Sequence, residues 1–112
     1  LLMPSRFEGF GFSLIEAMAS GAVPVVSRIR GVTDWIVEEN STGFVCPIGD
    51  ATEFADRIAR LADDRSLLGS MGKEAHRQAI ERFSVERLGR DYNRCLSEWR
   101  RSIEPRKEPA AR

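Results

Sequence analysis

Phe7-Glu8-Gly9-Phe10-Gly11-Phe12-Ser13-Leu14-Ile15-Glu16 is the stretch on which the fold turns. Before it, Leu1-Leu2-Met3-Pro4 is a short apolar strand that Pro4-Ser5 ends. Gly9 and Gly11 punctuate a loop over residues 5–12, because glycine supplies turns and close approaches that other residues resist. Ser13 to Ser20 then has the composition of a short helix, and Gly21 stands where a helix C-terminal glycine belongs. Strand, glycine loop and helix in direct succession are the opening of an α/β unit.

Further along the chain the pattern repeats. Val23-Pro24-Val25-Val26 is β-branched and apolar throughout, as in strands buried on both faces of a parallel sheet. Pro24 has no N–H to donate, which places it near the strand start or at an edge. Gly31 lies in a loop, Thr33 to Glu39 reads as a short helix, and Gly43-Phe44-Val45-Cys46 reads as a third strand before the turn Pro47-Ile48-Gly49-Asp50. The period then becomes helical. Asp50 with Glu53 three residues on is a capping-box pattern, and Phe54, Ile58, Leu61 and Ala62 form an apolar stripe behind it. A second helix carries Leu67, Leu68, Met71, Ala75 and Ala79 and ends near Phe83. A third, capped by Ser84, carries Leu88, Tyr92, Cys95, Leu96 and Trp99.

The fold class expected is α/β: three short strands with helical crossovers, followed by three helices, in a parallel sheet. Three strands are about half of a Rossmann-like, doubly wound domain, and a bare first strand would be an aggregation hazard. The expectation is therefore a fragment, with residues 1–101 forming part of a domain whose further strands lie upstream. Residues 102–112, rich in proline and charge, are expected to be a polar, disordered tail.

Composition narrows the partners. Lys+Arg and Asp+Glu each number 17, for a net charge of zero, which gives no reason to expect nucleic acid. Residues 87–112 hold eight basic and four acidic groups. A solvated helix face and polar tail account for that bias, and contact with an anionic membrane surface is the sharper alternative. No apolar run approaches a membrane span. Cys46 and Cys95 make neither a disulfide framework nor a metal site. With no signal-peptide pattern, a cytoplasmic setting is expected, with peripheral contact at the inner membrane face as the further option.

In an open parallel sheet, ligands bind beyond the carboxyl ends of the strands, where residues 5–12 lie. The helix that follows offers free N–H groups and a positive dipole end, suited to phosphate. Glu8 and Glu16 flank the loop; carboxylates repel phosphate but accept hydrogen bonds from hydroxyl groups. Sugar and ribose hydroxyls with phosphates between them make a consistent ligand, a sugar nucleotide. Each part has a plainer alternative. Ser13-x-x-Glu16 is itself a capping-box pattern, and Glu8 could be an ordinary loop acid. Gly9-x-Gly11 falls short of a dinucleotide fingerprint, since Leu14 stands at the third glycine, and lacks a P-loop's Lys-Ser/Thr ending.

Taken together, Pro4 to Gly21, Val23 to Ser27, Gly31 to Val37 and Glu39 to Asp50 resemble glycosyltransferase family 4, with its two glutamates separated by seven residues. The likeness is close over residues 1–65 and looser beyond. It implies the C-terminal donor-binding domain of a GT-B fold. The activity implied is transfer of a hexosyl group from a nucleotide-diphosphate sugar, with retention of anomeric configuration, to a saccharide or lipid-linked glycan acceptor. It implies no cofactor and no metal. Glu8 would be the catalytic group, touching sugar hydroxyls near the reacting carbon, and Glu16 would accept from the ribose. Gly9, Phe10, Gly11, Phe12 and Ser13 would complete the donor site. The family's diphosphate-clamping cations, most of its base pocket, its N-terminal domain and its acceptor site would lie upstream. His76 is expected at the surface, away from the chemistry. Arg30 replaces a usual glycine, with solvent its expected surroundings, and Thr33-Asp34 replaces the common Pro-Glu. In GT-B enzymes the last helix often crosses to the other domain, and the Leu88–Trp99 stripe suits either that or packing at home. The competing function is a non-catalytic nucleotide-sugar-binding or structural module.

Overall fold

The structure is a computed structural model, and it describes residues 1–103. The elements are β1 (Leu2–Met3), α1 (Phe12–Ala19), β2 (Val25–Ser27), α2 (Thr33–Ile36), β3 (Phe44–Cys46), α3 (Ala51–Asp63), α4 (Arg65–Phe83) and α5 (Val85–Ile103). The three strands form one parallel sheet in the order β1-β2-β3. Leu2 pairs with Val25 and Met3 with Val26. Val25 to Ser27 pairs with Phe44 to Cys46. The α/β class expected from the chain is thus observed, with Pro24 just ahead of β2.

Because side chains alternate across a strand, the sheet builds two cores. Val26 and Val45 pack with Leu14, Ile15, Met18, Ile36, Ala75 and Ala79 on the face that α1, α2 and α4 cover. Val25, Phe44 and Cys46 pack with Phe54, Leu61 and Met71 on the other, under α3 and the first half of α4. Burial pushes the Cys46 thiol above its ordinary range, so it behaves as a small apolar residue.

Helix ends follow local chemistry. Gly21, at φ 80°, closes α1: its N–H donates to Met18 O and that of Ala22 to Ala17 O, each at 2.9 Å, the paired bonds of a Schellman end. Asp50 caps α3 by accepting from Glu53 N at 3.0 Å. The Glu53 carboxylate does not reach back but takes Arg57 Nε at 2.7 Å, so only half of the expected box forms. Asp64 caps α4 through Leu67 N at 2.8 Å, and Ser84 Oγ accepts from Arg87 N at 3.3 Å.

Three expectations need correction. The helix from Thr33 stops at Ile36, because Val37 turns extended (φ −95°, ψ 122°) to bury its side chain. Ile58 and Ala62 are exposed: Ile58 lines an open apolar groove with Leu2, Pro4 and Phe54 beside β1 that no described element fills. Ser102 and Ile103, expected in a disordered tail, continue α5, and the rest of that expected tail, residues 104–112, lies outside the described residues. No residue of α5 is buried. Leu88, Tyr92, Leu96 and Trp99 all face solvent, so the stripe is not packed at home. No helix among the described residues is long and apolar enough to cross a membrane.

α1 and α4 meet backbone to backbone. A Cβ on Gly72 would sit 2.6 Å from Gly21 O, whereas one on Gly69, three residues earlier in the same helix, would meet nothing within 4 Å. Gly72→Ala should therefore destabilise the fold by about 1–3 kcal/mol through overpacking. Gly69→Ala should stabilise it by about 0.8–1 kcal/mol through helix propensity. Urea unfolding of the two variants beside wild type measures both, and equal effects would refute the close contact.

Candidate functional site

The site grows from the β1–α1 connection. Leaving β1 at its carboxyl end, the chain turns at Pro4, and Ser5 Oγ donates to a Glu8 carboxylate oxygen at 3.0 Å. That bond and partial burial hold Glu8 in place. Gly9 follows in the open, with nothing within 4 Å of where a Cβ would stand. Phe10 and Phe12 then project outward, 44% and 70% exposed, their rings 4.8 Å apart and tilted by 51°.

Gly11 is the N-cap of α1, in the left-handed region at φ 86°, ψ 43°. It has no side chain to cap with. Its carbonyl accepts from Leu14 N at 3.1 Å and Ile15 N at 3.2 Å. The N–H groups of Phe12 and Ser13 have no protein acceptor among the described residues. They are the free donors of a helix start, at the end where the dipole favours an anion.

This geometry settles one alternative. Ser13 lies inside α1 and makes no capping bond, so the Ser13-x-x-Glu16 box does not form; the cap falls two residues earlier, on Gly11. The Glu16 carboxylate, exposed one turn beyond the free amides, makes no hydrogen bond or ion pair among the described residues. Glu16 instead lines an apolar groove of about 630 Å³ with Phe10, Phe12, Ile15, Phe83 and Leu88. Glu8 is not among that groove's lining residues.

The neighbouring β2–α2 loop is tied at two points. Thr33 Oγ1 donates to Ser27 O at 2.6 Å and accepts from Ile29 N at 2.7 Å. Asp34 Oδ1 accepts from Gly31 N at 2.7 Å. Thr33 and Asp34 thus fasten the loop beside Gly31 from their own side chains. Arg30 is exposed, as expected. His76 is exposed too; its Nδ1 lies 2.6 Å from Ala19 O at the far end of α1.

Residues that pattern reading passed over support the site from beneath. A Cβ on Gly11 would stand 3.4 Å from Ile36 Cδ1, so α2 packs directly under the turn. Arg82 of α4 reaches the C-terminal carbonyls of α2. Nothing in the spacing of a charged helix singles out that arginine.

Fold and loop together define a class: a parallel α/β domain with a glycine turn, a helix N-terminus and two carboxylates at the carboxyl edge of its sheet. Within that class, the chain belongs to the family Glycosyl transferases group 1, whose profile matches residues 1–78. It is similar to N-acetyl-alpha-D-glucosaminyl L-malate synthase of Bacillus anthracis, 34% identical over 82% of this chain and 24% of that protein. It is likewise similar to the capsular polysaccharide biosynthesis glycosyltransferase CapM of Staphylococcus aureus, 32% identical over 87% of this chain and 26% of that protein. The chain spans about a quarter of the length of these relatives. Among solved structures, Anabaena HepE in complex with UDP superposes with a TM-score of 0.77 at 27% identity, over 81% of this chain and 25% of that one. The structural neighbours are GT-B glycosyltransferases, which agrees with the fold class expected here.

Gly11 carries the strain of the turn. Gly11→Ala should cost about 1–2 kcal/mol for a left-handed non-glycine residue, since its Cβ would meet Ile36 only at ordinary contact distance. Gly9→Ala should change stability by less than about 0.5 kcal/mol, as at open surface positions. Chemical denaturation separates them, and a neutral Gly11→Ala would show that the turn relaxes.

Proposed function

We propose that this chain is the donor-binding part of a retaining, family 4 glycosyltransferase that takes a hexosyl group from a nucleotide-diphosphate sugar. The observation that carries the reading is the start of α1: two free amides behind a left-handed glycine, with one carboxylate held before them and one left free after them.

The chemistry divides among these groups. Breaking the bond between sugar and diphosphate leaves negative charge on the departing phosphate. Amides of Gly9 to Ser13 aimed at that oxygen stabilise the charge without reorganising. A helix N-terminus contributes only about 0.3–1 kcal/mol at an exposed site, so cations outside residues 1–103 supply most of the stabilisation. Glu8 accepts from sugar hydroxyls near the reacting carbon and is the catalytic carboxylate. Glu16 accepts from the two ribose hydroxyls. Neither role needs a metal or a cofactor. The acceptor, a saccharide or lipid-linked glycan, sits on an N-terminal domain that completes the enzyme.

We place the stripe of α5 against that same domain. At 100° per residue, Leu88, Tyr92, Leu96 and Trp99 share one side of α5, Arg90, Arg94 and Arg101 lie opposite, and Arg100 flanks the stripe. An exposed apolar stripe of this kind is what a last helix that crosses to another domain would present to it.

Charge-assisted hydrogen bonds contribute about 1.5–3 kcal/mol each, so Glu16→Gln should weaken donor binding about 10²-fold. Unchanged affinity would remove Glu16 from the site. Donor consumption by the full-length protein, assayed with UDP-, GDP- and ADP-sugars, should fall at least about 10²-fold in Glu8→Gln. No turnover with any donor or added acceptor would favour the non-catalytic module instead.

A further inference from the structure

Helix α2 is a single turn, Thr33–Ile36, too short to hold itself in place. Its start is fastened by Thr33 and Asp34. Its end is fastened from another element. Arg82 of α4 donates from Nη2 to Trp35 O at 2.8 Å and from Nη1 to Ile36 O at 3.3 Å. The same guanidinium lies 4.9 Å from the Trp35 ring centre and 5.0 Å from that of Phe83, and those two rings meet edge to face at 5.5 Å. One planar group thus satisfies two carbonyls at the helix end and lies against two aromatic rings. A lysine has neither the fork nor the plane to do both.

The residue so held also supports the glycine turn. Ile36 is fully buried, and its Cδ1 marks the floor beneath Gly11, 3.4 Å from the place of a Cβ there. Packed side chains do not deform continuously. A shift of α2 therefore moves the floor on which the Gly9–Phe12 loop and the first amides of α1 rest.

We infer that Arg82 is a positioning residue for the donor loop, acting through Ile36 of α2 on Gly11 and on the free N–H groups of Phe12 and Ser13. The loop's ligand, a nucleoside diphosphate, rests on the function proposed above; the mechanical link from Arg82 to the loop does not.

The test uses the full-length protein and three variants. Amide hydrogen exchange is followed without ligand, and binding of UDP, with GDP and ADP in parallel, is titrated. Arg82→Met should quicken exchange about tenfold in residues 29–37 and also in residues 9–16, leaving α3 at the wild-type rate. It should weaken nucleoside diphosphate binding about tenfold as well. Arg82→Lys, the variant to rely on if the methionine protein does not fold, should show the same pattern at smaller amplitude. Ile36→Val, which deletes only the methyl group under Gly11, should quicken residues 9–16. Quickening confined to residues 29–37, or spread evenly through α3, overturns the proposal, as does unchanged affinity in a protein that binds one of the three nucleotides. Wild-type protein that binds none of them counts against the proposed function alone, and the exchange pattern still decides the role of Arg82.

Discussion

Strand β2 is buried on both faces, and the rest of the chain is arranged to meet that demand. Val25 and Val26 point in opposite directions, and each needs an apolar layer. α1, α2 and α4 supply one layer; α3 and the start of α4 supply the other. Parallel neighbours β1 and β3 satisfy its backbone, and parallel pairing requires crossovers, which is why loops and short helices separate the strands. Those crossovers bring the chain out of β1 and β2 at the same sheet edge. The candidate site therefore sits there as a consequence of topology, with the β1–α1 loop beside the β2–α2 loop. Burial has a local cost: the Ser27 hydroxyl, fully enclosed at the end of β2, finds no partner among the described residues.

Glycines set how closely the layers approach. Gly72 of α4 lies against Gly21 O after α1, and Gly43 before β3 leaves no room for a Cβ, which would stand 2.6 Å from Pro24 Cγ. Such contacts are invisible to hydrophobic patterning, because the relevant atom is the one that is missing. What patterning did reveal was the element order, the two-face burial of β2 and the aspartate cap on α3. Those depend on local periodicity and on side-chain chemistry within a few residues. The end of α2 and the exposure of Ile58 were not legible, since both depend on what lies across the sheet.

The start of α1 shows where local reading fails most instructively. Ser13 and Glu16 have the residue types and spacing of a capping box, and Gly11 has neither a hydroxyl nor a carboxylate. Yet Gly11 takes the cap position, because a left-handed backbone there lets its carbonyl meet the amides of Leu14 and Ile15 together. The side-chain cap is absent by geometry. A serine one or two residues earlier would satisfy an amide of the first turn and close that site to an outside anion. A helix start capped by glycine contributes less to stability than one capped by a side chain, by roughly a few tenths of a kcal/mol. The loss is tolerated because α1 is held by its buried face, Leu14, Ile15 and Met18, and by its Schellman end.

The two carboxylates are constrained in different ways, and the difference fits the two roles assigned to them. Glu8 stands on a loop, where a free side chain would sample many rotamers, and the Ser5 hydroxyl restricts it before any ligand arrives. A group that must meet charge developing at a reacting carbon gains from such restriction, since reorganisation during the reaction raises the barrier. Glu16 has no side-chain partner, but its backbone belongs to a helix whose inner face is fully packed. Its anchor is the element rather than a hydrogen bond, which leaves both carboxylate oxygens open to a pair of neighbouring hydroxyls. Exchanging these arrangements would leave each glutamate unsuited to its task. A carboxylate proposed to accept from ribose would lose part of its capacity if bonded to serine, and the proposed catalytic carboxylate would lose its direction without Ser5.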